Sequence, residues 1–382
     1  MSLADWSQNN MIFELSSLEL PYTLGIERGL PSGVVVENDE FFQGYDKSTL
    51  FYDCFFDPDL DRVKLYAPSL LNFEKILGVE GLFSGDGSPL SWRLTRYRCF
   101  DVIEVEFSKF PSSIGISFSN CTQAALVQKQ SREQFSGRKV LCAVSKNNDL
   151  KWIRDWVRYH QINHGVDSVL IVDNGSSAYS LDELSSVLSK VVDGNFGIVT
   201  APLPYGPSIG ARSGLGRAKF FQTGMLNLVR DRFLAYSAGV LSVDIDELVV
   251  SKSGRSIFEC LENSRLGFLA FEGGWRYPEN HLAATHGEHF WVADDDQACP
   301  SKYCYRPKSF LGKQALSVHG LQRVSRRWMP SSKEFYFAHC RNISTGWKWG
   351  RERKLAFSSK DEHLIKALQF ARLNADVQMA QI

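Results

Sequence analysis

Two aspartates, Asp244 and Asp246, interrupt the apolar run Leu241-Ser-Val-Asp-Ile-Asp-Glu-Leu-Val-Val250. Read as one buried strand, the segment turns both carboxylates to the same side and packs Ile245 the other way, because strand side chains alternate. Adjacent carboxylates in apolar surroundings repel, and burying each one unpaired costs on the order of several kcal/mol. A hard divalent cation, Mn²⁺ or Mg²⁺, removes that cost; such ions prefer oxygen ligands and bridge to phosphates. Taken alone, Asp-x-Asp reads more readily as a helix cap or the partner of an arginine. The elements around it decide for metal and phosphate.

Those elements alternate. Lys139–Val144 is a buried strand, and Asn148–His164 has helical periodicity through Leu150, Trp152, Ile153, Trp156, Tyr159 and Ile162. There follow a strand at Ser168–Val172, a helix at Ser180–Lys190 opened by a capping box (Ser180, Glu183), and a strand at Phe196–Thr200. A long helix over about Leu215–Ala235 then leads into the 241–250 strand. This rhythm predicts a mainly parallel α/β sheet with right-handed crossovers, whose ligands sit beyond the carboxyl ends of the strands. Three such ends are polar: Ser145-Lys-Asn-Asn148, Asp173-Asn-Gly-Ser-Ser177 and Asp244-Ile-Asp-Glu247. Asp173 could accept hydrogen bonds from a base or ribose, although by itself this segment reads first as an Asx-type turn.

In this order, the stretch Asn147–Asp167 with its Trp, its Tyr159-His160 pair and its Gly165-Val-Asp167 turn, together with Val172–Ser177 and Val243–Leu248, resembles the GT-A glycosyltransferases. The nearest pattern is a subgroup close to family 2 and family 92 (DUF23-like). The resemblance is close over 138–250 and looser to about 355. It implies a GT-A fold, Rossmann-like with a mainly parallel sheet, acting on a nucleotide-sugar donor, a UDP-sugar foremost, and a glycan or lipid-linked saccharide acceptor in polysaccharide biosynthesis. It implies further that Asp173 touches the nucleoside, Asp244 the ribose or the metal, and Asp246 the metal that bridges the diphosphate. Asn147 and Gln222 fall on donor-side positions. Lys302 and Arg306 match the Lys-x-x-x-Arg-Pro segment, with His319 downstream, and His339 at the end of Phe335-Tyr-Phe-Ala-His339 would complete the metal shell. Lys348, in the stretch Trp347, Lys348, Arg351, Arg353, Lys354, would fold over the diphosphate; a solvated basic helix is the alternative. Glu247 divides evenly between metal ligand and structural acid, and Arg217 and Lys219 between donor pocket and solvated helix face. Cys340 stands where a Tyr usually follows the His.

The resemblance also implies inversion, which requires a carboxylate base for the acceptor hydroxyl. Glu272, Glu279 and Asp294-Asp-Asp296 are candidates, and Glu279 is the choice made here. Trp275, at the end of a strand with glycines, suits either an acceptor platform or the core.

The rest of the chain bounds these readings. Its 382 residues carry zero net charge, 44% hydrophobic and 13% aromatic residues, which means ample core and no global field to attract nucleic acid. Residues 1–135 read as a β-rich accessory module, 136–360 as the glycosyltransferase domain and 361–382 as a C-terminal helix. The acidic run Phe56–Asp61 suits a solvated turn better than a calcium site. Eight cysteines without Cys-x-x-Cys fit a reduced, cytoplasmic setting. With neither signal peptide nor transmembrane run expected, any membrane association would be peripheral. Two competing readings stand beside the transferase. One is an inactive carbohydrate-binding or polysaccharide-assembly protein, against which the intact Asp173, Asp244 and Asp246 argue. The other is a zinc protein built on His286-x-x-His289 and Cys299-x4-Cys304, whose spacing fits no compact finger.

Overall fold

A computed structural model describes residues 11–78, 81–84, 87–118, 121–279, 285–294, 296, 298–344 and 357–373. Eleven strands form the main sheet: β1 Met11–Glu14, β2 Lys139–Ser145, β3 Ser168–Asp173, β4 Phe196–Thr200, β5 Gly239–Ser242, β6 Glu247–Ser251, β7 Phe268–Pro278, β8 His289–Ala293, β9 Cys299–Tyr305, β10 Ser331–Cys340 and β11 Phe357–Lys360. Helices α1 Leu150–His164, α2 Leu181–Val191 and α3 Phe221–Arg232 connect the early strands, and α4 Glu362–Phe370 follows the last. The order across the sheet is β1-β4-β3-β2-β5-β9-β7-β8-β11, with β10 joining β7 and β6. The first five are parallel; from β9 onward the pairing is mixed.

The sheet is covered on both faces, as parallel sheets must be. Leu141, Ala143, Val169, Ile171, Ile198 and Leu241 point toward α1 and α2, where Ile153, Trp156, Leu184 and Leu188 are fully buried. The alternate residues Val140, Cys142, Leu170, Val172 and Val199 point toward α3, against Phe221, Met225 and Val229. Two helix starts follow the sequence reading: Asp149 caps α1 by accepting from the Lys151 amide, and Ser180 and Glu183 form the capping box of α2.

Two expectations change. The 241–250 run is not one strand. β5 ends at Ser242 and β6 starts at Glu247, because the Glu247 amide donates to the Asp244 carbonyl at 3.0 Å while the Glu247 carboxylate accepts the Asp244 amide at 2.9 Å. This reciprocal turn moves the chain from the β9 pairing to the β10 pairing. The long helix is also shorter: Leu215–Arg217 is a single 3₁₀ turn, and α3 begins only after Phe220 has been buried beside Tyr45 and Arg28.

The N-terminal part is strand-rich. Asp53–Asp57, Arg62–Pro68, Phe100–Glu106 and Trp92–Arg96 form an antiparallel sheet, joined by Gln128–Lys129 running parallel to Asp53–Asp57. One face has its own core around Phe51, Leu65, Ile103 and Ile116. Phe41, Tyr52, Phe55, Tyr66 and Phe100 share the core of α3, and β1 extends the main sheet itself. Buried charges stitch the contact: Arg232 meets Asp53 at 2.7 Å, and the Tyr66 hydroxyl donates to Asp231 at 2.6 Å. At the far end, Asp361 caps α4 through the Leu364 amide and holds Arg276 and the Tyr336 hydroxyl. Among the described residues, no helix is long and apolar enough to cross a membrane.

Candidate active site

The chain runs outward from β2 through β3 to β4, then returns to the other side of β2 as β5. That reversal opens a crevice between the carboxyl ends of β2 and β5, the place where doubly wound sheets bind ligands. A cavity of about 860 Å³ occupies it. Its walls come from the end of β2 (Val144–Asn148), from Asn174, from Tyr205, Lys219 and Gln222 at the start of α3, and from Asp244–Asp246. The opposite wall is Ser317–Gln322, Val324, Met329, His339 and Ile343.

One group among the described residues has the composition of a cation site: ligand atoms of Asp246, Glu247 and His339 all lie within 4.8 Å of one another. The β6–β10 register puts Glu247 opposite His339, and β7 runs parallel to β10 with Trp275 beside His339. The His339 Nε2 lies 2.9 Å from Asp246 Oδ2, and its ring stacks on Trp275 with centroids 3.8 Å apart. On its other nitrogen, Cys299 Sγ is 3.7 Å from Nδ1. Two carboxylates and an imidazole converging at one point suit Mn²⁺ or Mg²⁺ in oxygen preference and Mn²⁺ in nitrogen tolerance.

The charges in this cluster explain one another. Lys302, 3% exposed on β9, places its ammonium 2.6 Å from Asp244 Oδ2 and 3.1 Å from Glu247 Oε2. Burial lowers its pKa, but the two carboxylates outweigh that and hold it well above the usual lysine range. Burial pushes the Glu247 carboxyl up to about 7; Lys302 opposes this and Asp244 adds to it. Burial disfavours a charged His339, yet the adjoining Asp246 carboxylate prevails and raises the imidazole to about 10. Two protein cations, Lys302 and His339, thus face the three acids Asp244, Asp246 and Glu247.

The sequence-derived residues distribute as follows. Asn147, Gln222, Asp244, Asp246 and His339 line the one cavity. Gln222 accepts from the Tyr205 hydroxyl at 2.8 Å and reaches Asp244 Oδ1 at 3.4 Å. Asn147 sits at φ +55°, and its side-chain Oδ1 accepts the backbone amides of Ser177 and Ala178. Asp173 is buried and is not among the lining residues; its carboxylate accepts the Ser176 amide at 2.9 Å and hydroxyl at 2.6 Å, the turn its sequence suggests. Its neighbour Asn174 reaches the cavity, with its amide tied to the carbonyls of Ala201 and Leu203. Lys302 serves the acids from beneath. Arg306 lies just past the end of β9, donating to the carbonyls of Leu261 and Glu262. Glu279 is exposed just past β7 and does not line the cavity; Glu272 is exposed, and Asp296 accepts from the Tyr277 hydroxyl at 2.7 Å. Lys348 and its basic neighbours lie outside the described residues.

Sequence reasoning named His319 but missed Tyr205 and the rest of the 317–329 wall, with Arg98 and Cys99 beside it. No motif marks them; only the fold brings them to the crevice. The zinc grouping does not form: His286 and His289 are fully buried, and Ile245, Thr285 and Asn342 backbone groups meet their ring nitrogens.

The sequence matches no protein-family model, and no curated protein matches it. Solved structures overlap it weakly. TarS residues 1–349 from S. aureus, in complex with UDP, is 13% identical over 44% of this chain and 46% of its own, with a TM-score of 0.26. WbbM, a bifunctional glycosyltransferase, is 14% identical over 40% of this chain and 26% of its own, at 0.25. HddC from Yersinia pseudotuberculosis is 10% identical over 60% of this chain and 98% of its own, at 0.29. The chain spans just under half the length of the TarS structures. Likeness at that level carries no weight for fold or activity, and the function rests on the site itself.

Proposed function

We propose that the protein is a metal-dependent glycosyltransferase that moves a sugar from a nucleotide-sugar donor, a UDP-sugar foremost, to a saccharide acceptor. The observation that carries this is the convergence of Asp246, Glu247 and His339 at the crevice end of a parallel sheet, with Asp246 and His339 lining a cavity large enough for a nucleotide-sugar. In this reading, those three side chains hold Mn²⁺ or Mg²⁺. The bound ion supplies countercharge to the leaving nucleoside diphosphate. Gln222, steadied by Tyr205, and the half-exposed Asp244 present polar atoms to the ribose side. The hydrogen bonds from the Ser177 and Ala178 amides to Asn147 Oδ1 fix the two loops between which a base would lie. Lys302 offers its ammonium to both Asp244 and Glu247 from beneath the site. The cavity continues to the Ser317–Val324 wall, which leaves room for an acceptor on the far side of the donor sugar.

Thermal unfolding against a panel of nucleotides and nucleotide-sugars, with and without Mn²⁺, tests the reading. A ligand at about 100 times its dissociation constant adds roughly 2.7 kcal/mol. The expected result is stabilisation by one nucleoside diphosphate family only with metal, abolished by Asp246→Ala. If no nucleotide shifts the wild type under any metal, the donor-site reading is wrong.

A further inference from the structure

The two arms of the candidate cation site come from distant parts of the chain, Asp246-Glu247 from the β5–β6 turn and His339 from β10. A single short segment, Thr285–His289, touches the backbone of both. His286 lies in a 3₁₀ turn, is fully buried, and its Nε2 is 2.8 Å from the carbonyl oxygen of Ile245, the residue between the two aspartates. A carbonyl can only accept, so Nε2 carries the proton. His289, also fully buried, has Nδ1 2.8 Å from the Thr285 carbonyl, and its Nε2 accepts the Asn342 amide at 3.1 Å, three residues beyond His339. The two rings therefore hold opposite tautomers, each set by a backbone partner. The turn that carries them is closed by Thr285 and Glu288 in a reciprocal capping box. A third bond ties the arms directly: the Cys340 amide donates to the Asp246 carbonyl at 2.8 Å.

We infer that His286 and His289 are positioning residues: a two-pronged backbone clamp that sets the separation of Asp246 and Glu247 from His339. This rests on the cation-site reading above and assigns a role to a His-x-x-His pair whose types suggested ligands. Two observations favour a clamp over plain core filling. Both rings spend a directional hydrogen bond on the segments flanking the proposed ligands, and His286 does so while its Nδ1 stays buried without a partner. An apolar residue of similar size would avoid that orphaned nitrogen, whose burial costs about 1–3 kcal/mol. Outer groups that orient ligands typically matter about ten- to a hundredfold in metal affinity.

The test compares full-length wild type, His286→Ala, His286→Gln and His289→Ala, each metal-free and titrated with Mn²⁺ alone. Glutamine can present an amide N–H where His286 Nε2–H stands. Amide hydrogen exchange of the metal-free proteins reads the clamp without any ion. The expectation is faster exchange confined to 244–248 and 339–343, the Asn342 amide above all in His289→Ala, with Ser168–Asp173 unchanged. Mn²⁺ affinity, read by the electron paramagnetic resonance of the free ion, should fall about ten- to a hundredfold in both alanine variants and recover in His286→Gln. Wild-type exchange at these segments in both alanine variants, or loss of protection spread evenly through the sheet, overturns the clamp. If His286→Ala does not fold, His286→Gln and His289→Ala still decide it. If wild type takes up no Mn²⁺ the cation reading falls, and exchange alone supports or sinks the clamp.

Discussion

Binding of the cation should release a proton from His339. In the metal-free protein this imidazole is held protonated up to about pH 10 by Asp246 at 2.9 Å. An imidazole must be neutral to ligate a metal, so at neutral pH the ion has to displace that proton. The gap of about three pH units withholds roughly 4 kcal/mol of affinity at pH 7, at about 1.36 kcal/mol per unit. The side chain is 12% exposed, so solvent screening takes little from this figure. The sign follows from a raised cationic pKa. The protonated His339 contributes stability that is fully present below its ordinary value of 6.5 and is lost as pH rises through about 10. Stability of the metal-free protein should therefore fall across that window while Mn²⁺ affinity climbs about tenfold per pH unit. Below about pH 7, Glu247 also holds a proton, and the slope should steepen toward two. Calorimetric titration with Mn²⁺ in two buffers of different ionisation heat measures both the affinity and the protons released. Affinity that is flat between about pH 7 and 9, with no proton release, would refute His339 as a ligand.

Three further outcomes are expected. Glu247→Gln should flatten the stability profile between pH 4.5 and about 7 in chelator, where the raised carboxyl of the wild type loses roughly 3 kcal/mol as it ionises; an unchanged profile in urea unfolding would assign that titration elsewhere. Lys302→Met leaves Asp244 and Glu247 without their buried cation and should cost about 3–5 kcal/mol at pH 8, partly restored by Mn²⁺; equal stability with and without the ion would contradict the shared-charge account. Gly273→Ala sets a methyl 2.2 Å from the Phe337 ring across β7 and β10, and should lower the melting temperature through about 1–3 kcal/mol of strain; a neutral substitution would mean that the strands part freely there.

The parallel half of the sheet was legible because its signals are local. Leu150 to Ile162 repeat at helical spacing, Ser180 and Glu183 announce a helix start, and β2, β3 and β4 fall where their apolar runs lie. Asp246 and His339 were legible as a pair only through the resemblance, since β10 reaches the site by pairing with β6 and β7. Glu247 could not be assigned from its neighbours, because what makes it a cluster member is the turn that breaks the 241–250 run. Arg306 and Lys302 show the opposite limit. Four residues apart in the chain, they meet different surroundings: Lys302, midway along β9, lies among carboxylates, and Arg306, just past its end, lies among carbonyls. Apart from His319, which the resemblance marked, the Ser317–Met329 wall carried no signal, since its only distinction is where the mixed part of the sheet sets it down.

The outermost strand of the main sheet raises a matter of synthesis. Met11 registers with Gly197 and Glu14 with Thr200, Phe13 packs on Phe233, and the Glu14 carbonyl accepts from Arg232. The ribosome thus makes this strand before its seat, β4, with β2 and β3 made between them. Until residue 200 has emerged, Met11–Glu14 is an unsatisfied edge, the kind of backbone that seeks any partner. A chain shortened past Glu14 would leave β4 as that edge for the life of the protein. Yield, aggregation and chaperone demand should then follow from four residues that lie far along the sequence from every group in the crevice.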